Sequence, residues 1–184
     1  MHHGNGTTLQ SIIDAIKNKT LNASISLVVS DNKDAYALQR AKDAGIDTYV
    51  IQAKIKEEID EELSNKLKDY SIDLIVLAGY LRLIGERLLN TYTIINTHPS
   101  LLPKFGGKGM YGMNVHRAVI EASEEYSGVT LHYVNHEYDK GNIIRQTKVK
   151  VEPTDTAETL SAKVQKAEKI QLVEALQEFA NAKK

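Results

Sequence analysis

The chain of 184 residues has no cysteine, only three prolines and no excess of either charge. Without cysteine there can be no disulfide, no thiol nucleophile and no zinc–thiolate site, and a cytoplasmic location is the expectation. A net charge of −1 offers nothing to draw a nucleic acid or an anionic membrane. No apolar run approaches the roughly 18 residues of a membrane span, and nothing resembles a signal peptide. Neither class of partner is expected. Repeats and low-complexity linkers are also lacking, so the expected organisation is a single domain over residues 1–184. Met1-His2-His3 reads as a tag remnant, and its histidines carry no weight.

Short Val/Ile/Leu runs alternate with helical patterns. Strands are expected at Ile25-Ser30, Thr48-Gln52, Leu74-Tyr80 and Thr93-Thr97, and helices at Leu9-Lys17, Ala35-Ala44, Glu57-Tyr70 and Ile84-Tyr92. This pattern predicts an α/β fold, a doubly wound, mostly parallel Rossmann-like sheet with helices on both faces. After Pro103 comes a glycine-rich segment, FGGKGMYG, and then a helical pattern at Asn114-Ser123. Alternating strands at Gly128-Asn135 and Asn142-Val151 predict an antiparallel hairpin. Asp155-Thr156-Ala157-Glu158 has capping-box spacing and opens a last helix to about Ala182.

Two of the three prolines lie in IINTHPSLLP, residues 94–103. Asn96 and His98 leave the same face of an extended segment, and Pro99 keeps His98 extended. An amide beside an imidazole at the carboxyl end of a strand suits stabilisation of a developing oxyanion. Equally, Asn96 can cap the strand end while His98 packs under the turn. Gly4-Asn5-Gly6-Thr7-Thr8 before a helix is either an anion site or an ordinary turn with an N-cap. Asp139 before Lys140-Gly141 and Gly79 after an apolar strand each read as a turn or as part of a site. His132 and His136 would stand roughly 13 Å apart in a strand at about 3.3 Å per residue, too far to share a metal ion. No metal is expected.

Taken together, Gly4-Asn5-Gly6, Leu77-Ala78-Gly79-Tyr80, Asn96-x-His98-Pro99-Ser100-Leu101-Leu102-Pro103, Phe105-Gly106-Gly107-Lys108-Gly109, Asp139-x-Gly141 and Val164-Gln165-Lys166-Ala167-Glu168 resemble the folate-dependent formyltransferases, and within them the phosphoribosylglycinamide formyltransferases. The resemblance implies transfer of a formyl group from 10-formyltetrahydrofolate, as co-substrate, to the amine of glycinamide ribonucleotide in purine synthesis. It implies a catalytic trio of Asn96, His98 and Asp139, with a protonated His98 favoured by Asp139. Asn5, Gly6, Thr7 and Thr8 would hold the phosphate, with Gly79, Gln165, Lys166, Ala167 and Glu168 completing the ribonucleotide site; the amino-terminal half would mainly bind the ribonucleotide, and the carboxyl-terminal half would bind the folate and carry catalysis. Lys56, Leu81, Arg82, Leu83 and Ile84 would line the folate pocket with Asn96, Asn135, His136, Glu137, Tyr138 and Asp139. The protein would be a monomer or homodimer. The alternatives are a formyltetrahydrofolate deformylase-like hydrolase and a catalytically silent binding protein on the same fold.

Thr97 stands where that family usually carries an apolar residue. Ahead of Gly4, only Met1-His2-His3 stands where a doubly wound sheet needs a central strand. Missing buried side chains would forfeit about 1.5–3 kcal/mol each. The expectation is therefore a natural protein with a Val/Ile-rich strand before Gly4, a chain truncated or altered there, and a weakened phosphate site.

Overall fold

The computed structural model describes residues 6–182. The expected change to the start before Gly4, and Asn5 with it, lie outside the described residues. The elements run α1 (Thr7–Lys17), β1 (Val28–Ser30), α2 (Tyr36–Asp43), β2 (Thr48–Val50), α3 (Lys56–Leu67), β3 (Ile75–Leu77), α4 (Glu86–Thr91) and β4 (Ile94–His98). They continue with α5 (Met113–Glu121), β5 (Tyr126–Tyr133), β6 (Ile143–Lys150) and α6 (Ala157–Ala182). This is the expected α/β alternation followed by the expected hairpin. β1 pairs with β2 and β3 with β4 in parallel, while β4, β5 and β6 pair antiparallel.

Helices cover both faces because β4 is apolar on both. Ile94 packs with Ile59, Leu63 and Leu67 of α3 and Leu88 of α4. Ile95, its neighbour in the strand, points the other way to Ala15 of α1 and Leu172, Ala175 and Leu176 of α6. A third cluster joins Val119 of α5 and Val129 of β5 to Leu160 and Val164 of α6.

The structure departs from a single continuous sheet. Among the described residues no strand joins β1 to β3, and the strands form a two-stranded and a four-stranded ladder. The Ile25–Ser30 and Leu74–Tyr80 runs pair only over Val28–Ser30 and Ile75–Leu77. Among the described residues each has a hydrogen-bonding neighbour on one side alone. A cavity of about 1340 Å³ runs between them, with Leu27, Val29 and Val76 among its walls, and continues to the end of β4.

Two helix starts are set by contacts that spacing alone misplaces. The capping box of α6 is Thr156 with Thr159: Thr159 N–H donates to Thr156 Oγ1 at 3.2 Å, and Thr156 N–H to Thr159 Oγ1 at 2.9 Å. Glu158 takes no part in it. The start of α4 is capped from α3, where buried Asp60 accepts the N–H groups of Arg87 (2.9 Å) and Leu88 (3.1 Å). A Cβ on Gly85 would lie 2.1 Å from Asp60 Cγ, so glycine admits the carboxylate. Asp60→Ala should leave these buried donors unmet and cost about 2–3 kcal/mol, lowering the thermal midpoint by about 4–12 °C for a chain of this size. An unchanged melt would show that water replaces the carboxylate.

Candidate active site

Strand alternation turns Asn96 and His98 to one face of β4, and the antiparallel register sets His132 of β5 directly opposite Asn96. Asn96 Nδ2 lies 3.2 Å from His132 Nε2. His132 Nδ1–H donates to the Tyr133 carbonyl at 2.9 Å, so its Nε2 edge is the one turned to the Asn96 amide. A register shift between Leu131 and His132 is the kind of irregularity that re-aims a strand side chain.

Asp139 closes the group from the β5–β6 loop, in a left-handed conformation with φ 56°. Its Oδ2 is 3.5 Å from His98 Nδ1, and its Oδ1 is 3.5 Å from His132 Nε2. The side chains of His98, His132 and Asp139 are 5%, 3% and 11% exposed. Gly107 N–H donates to Asp139 Oδ2 at 2.9 Å, and His98 Nε2–H donates to the Phe105 carbonyl at 2.8 Å. The proline turn is pinned to β5. Thr130 Oγ1–H donates to the Ser100 carbonyl at 2.7 Å and accepts Leu102 N–H at 3.1 Å. Ser100 Oγ–H donates to the Lys104 carbonyl at 2.6 Å. The turn thus holds His98 and brings the Phe105 carbonyl and Gly107 N–H to the ring and to Asp139.

Burial lowers the His98 pKa and outweighs the opposing pull of Asp139 and the Phe105 carbonyl, while the nearby His132 lowers it further. The resting imidazole therefore favours the neutral form, which corrects the expectation of a protonated His98. The desolvation that disfavours the cation exceeds the attraction of one carboxylate at 3.5 Å. Burial would raise the Asp139 pKa, but contact with His132, the His98 ring and the Gly107 N–H together hold it below the ordinary carboxylate value. An anionic carboxylate, two imidazoles and an amide can stabilise an oxyanion and move a proton.

The same cavity reaches the start of α1, with Gly6, Thr7 and Thr8 in its wall. Gly6 has φ 65°, and a Cβ there would lie 2.8 Å from Ala37 Cα. Among the described residues no side chain caps α1, and N–H groups at such a helix start can hold an anion. Gly79, Gln165 and Glu168 also border the cavity. Burial pushes the Glu168 carboxyl up to about 7, against the opposing effects of Thr97 and Lys169.

The segments at Leu81, Arg82, Leu83, Ile84 and at Asn135, Glu137, Tyr138 meet across the other end of the cavity. Tyr138 O–H donates to the Leu81 carbonyl at 3.2 Å. Arg82 is engaged by Asp31 (3.0 Å) and the Lys54 carbonyl (3.0 Å), so it braces the segment. Four expected site residues lie off the cavity and are corrected here. Lys56 opens α3 and faces solvent. His136 is 74% exposed beside Glu137. Lys166 is exposed, and Ala167 packs into the α5–α6 cluster, because the face of α6 that carries Glu168 cannot also carry its two predecessors. His132, to which spacing assigned only a discounted metal role, is the residue that sequence reasoning missed. Its signal lay in the β4–β5 register, which the sequence does not print.

The family model described as formyl transferase matches residues 1–176. Phosphoribosylglycinamide formyltransferase of Escherichia coli (strain K12) is 37% identical over 170 residues, which are 90% of this chain and 78% of that protein. The chloroplastic protein of that name from Arabidopsis thaliana is 40% identical over 167 residues, 88% of this chain and 57% of its own length. The chain thus spans less than three fifths of the chloroplastic relatives. The crystal structure of phosphoribosylglycinamide formyltransferase from Bacillus halodurans superposes with a TM-score of 0.88 at 36% identity, covering 96% of this chain and 91% of that one.

Proposed function

This chain belongs to the formyl transferase family, and from that premise we propose that it transfers the formyl group of 10-formyltetrahydrofolate to the amine of glycinamide ribonucleotide, a step of purine synthesis. The observation that carries the reading is one cavity holding both the Asn96, His98, His132 and Asp139 cluster and the start of α1. The ribonucleotide's phosphate sits on the α1 N–H groups, with Thr7 and Thr8 around it, and its amine reaches His98. The folate occupies the end walled by 81–84 and 135–138.

The amine lone pair attacks the formyl carbon, and the carbonyl electrons move onto oxygen. The Asn96 amide, oriented by His132, donates to that oxyanion. The attacking nitrogen must lose a proton and the folate nitrogen must gain one as its bond to the formyl carbon breaks. Neutral His98 accepts the proton at Nδ1, where Asp139 stabilises the resulting imidazolium across the 3.5 Å gap, and then returns it to the leaving nitrogen. The products are formylglycinamide ribonucleotide and tetrahydrofolate.

The test follows formyl-donor absorbance with and without the amine. Donor loss should require glycinamide ribonucleotide, and the riboside lacking phosphate should be a poor substrate. Inorganic phosphate or sulfate should compete with the ribonucleotide and not with the folate. Donor loss without amine would instead make the protein a hydrolase, and equal activity on the phosphate-free amine would remove the role of α1.

A further inference from the structure

The segment that carries Leu81, Arg82 and Leu83 lies between β3 and α4 and is neither helix nor strand. Side chains therefore hold this wall of the cavity where a ladder cannot. Tyr138 O–H donates to the Leu81 carbonyl from across the cavity, and buried Ile84 packs in the cluster of α3 and α4. Between those two points stands Arg82. Its Nε–H donates to Asp31 Oδ2 at 3.0 Å, and its Nη1–H donates to the Lys54 carbonyl at 3.0 Å.

Both acceptors are themselves fixed. Asp31 directly follows β1, in a turn tied at three points. Asn32 N–H donates to Ser30 Oγ at 3.1 Å, Asp34 N–H to Asn32 Oδ1 at 2.9 Å, and Ala35 N–H to the Asn32 carbonyl at 3.1 Å. Lys54 follows Gln52 and Ala53, whose N–H groups both donate at 2.8 Å to the Glu62 carboxylate of α3. A planar guanidinium held by two anchored oxygens keeps little freedom to lose when a ligand binds. Arg82 borders the cavity, whereas Asp31 and Lys54 stand off it. Asp31 thus reaches a ligand there through Arg82.

We propose that Asp31 is a positioning residue for the formyl donor, fixing through Arg82 the wall at 81–84 against which the donor lies. The proposal rests on the formyl-transfer reading above. The two side chains are 43% and 41% exposed, so water screens the pair and the expected effects are modest.

The experiment measures kcat and KM for each substrate, with a thermal melt for each variant. Asp31→Ala should raise KM for the formyl donor about two- to fivefold, the scale of an exposed ion pair. KM for the ribonucleotide and kcat should change less. Arg82→Ala also gives up the Lys54 carbonyl and should raise the donor KM about five- to tenfold. The double variant should be no worse than Arg82→Ala, because Asp31 acts through that residue. Asp31→Glu, which keeps the charge, should recover most of the loss. Asp31→Asn serves the same comparison if the alanine protein does not melt cooperatively. An unchanged donor KM in a folded variant, an equal rise for both substrates, or additive losses in the double variant would overturn the proposal while leaving formyl transfer standing. A lower donor KM in Asp31→Ala would also overturn it, since Arg82 would then grip the donor better when released. Absence of any formylated amine with the wild-type protein would overturn the formyl-transfer reading and the proposal with it.

Discussion

Asn96→Ala, His98→Ala and Asp139→Asn are each expected to reduce turnover by at least about 10²-fold, the scale of one oxyanion donor or one general acid–base group. The three act through different atoms of one cluster. Asn96 loses the amide that His132 holds at 3.2 Å. His98 loses the base. Asp139→Asn keeps an oxygen for the Gly107 N–H, which now donates at 2.9 Å, but removes the charge that stabilises the imidazolium. That substitution also carries a pH signature. Asp139 raises the His98 pKa against burial, so its removal lowers that pKa further and moves the acid limb of kcat/KM to lower pH. Steady-state kinetics across pH, with circular dichroism to establish folding, measures both effects. If two of the three variants keep near-wild-type turnover while folded, the assignment of roles is wrong.

Gly141→Ala should be the most damaging single methyl group near the site. A Cβ there would lie 1.6 Å from the Tyr133 carbonyl oxygen, a backbone atom that cannot swing away as a side chain can. That oxygen also accepts the His132 Nδ1–H, and Tyr133 N–H pairs with the Asn142 carbonyl at 2.9 Å. Relief of the clash opens the mouth of the β5–β6 hairpin and releases His132 together. The expected loss is about 3 kcal/mol or more, at the upper end for overpacking, or a fall of at least about 6 °C in thermal midpoint. Gly45→Ala is the control. Gly45 has φ 70° but nothing within 4 Å of a new Cβ, so only conformational strain of about 1–2 kcal/mol applies. Equal melts for the two variants would show that the hairpin mouth yields easily.

The arrangement of elements was legible because it depends on local pattern. Ile94 and Ile95 are both apolar, and only a strand covered on two faces uses both. The pair of Asn96 and His98 was legible for the same reason, since a period of two puts them on one face wherever the strand lies. Asp139 became recognisable only through a motif resemblance, because its bare surroundings, Tyr138-Asp139-Lys140-Gly141, read equally well as a turn. The capping of α6 was off by one residue, since Asp155-x-x-Glu158 and Thr156-x-x-Thr159 overlap and both offer an oxygen three positions before a backbone donor.

The sequence by itself determined the α/β alternation, the hairpin, the apolar faces of β4 and the side on which Asn96 and His98 stand, all consequences of periodicity over neighbouring residues. Only the tertiary structure decided that His132 orients Asn96, that Asp60 of α3 caps α4, and that Lys56, His136, Lys166 and Ala167 stand off the cavity. Each of those depends on strand register or on helix packing between residues distant in the chain, and so does the protonation of His98. Burial of that ring is a sum over surroundings that no local spacing contains, and it outweighs the one charge the motif announces.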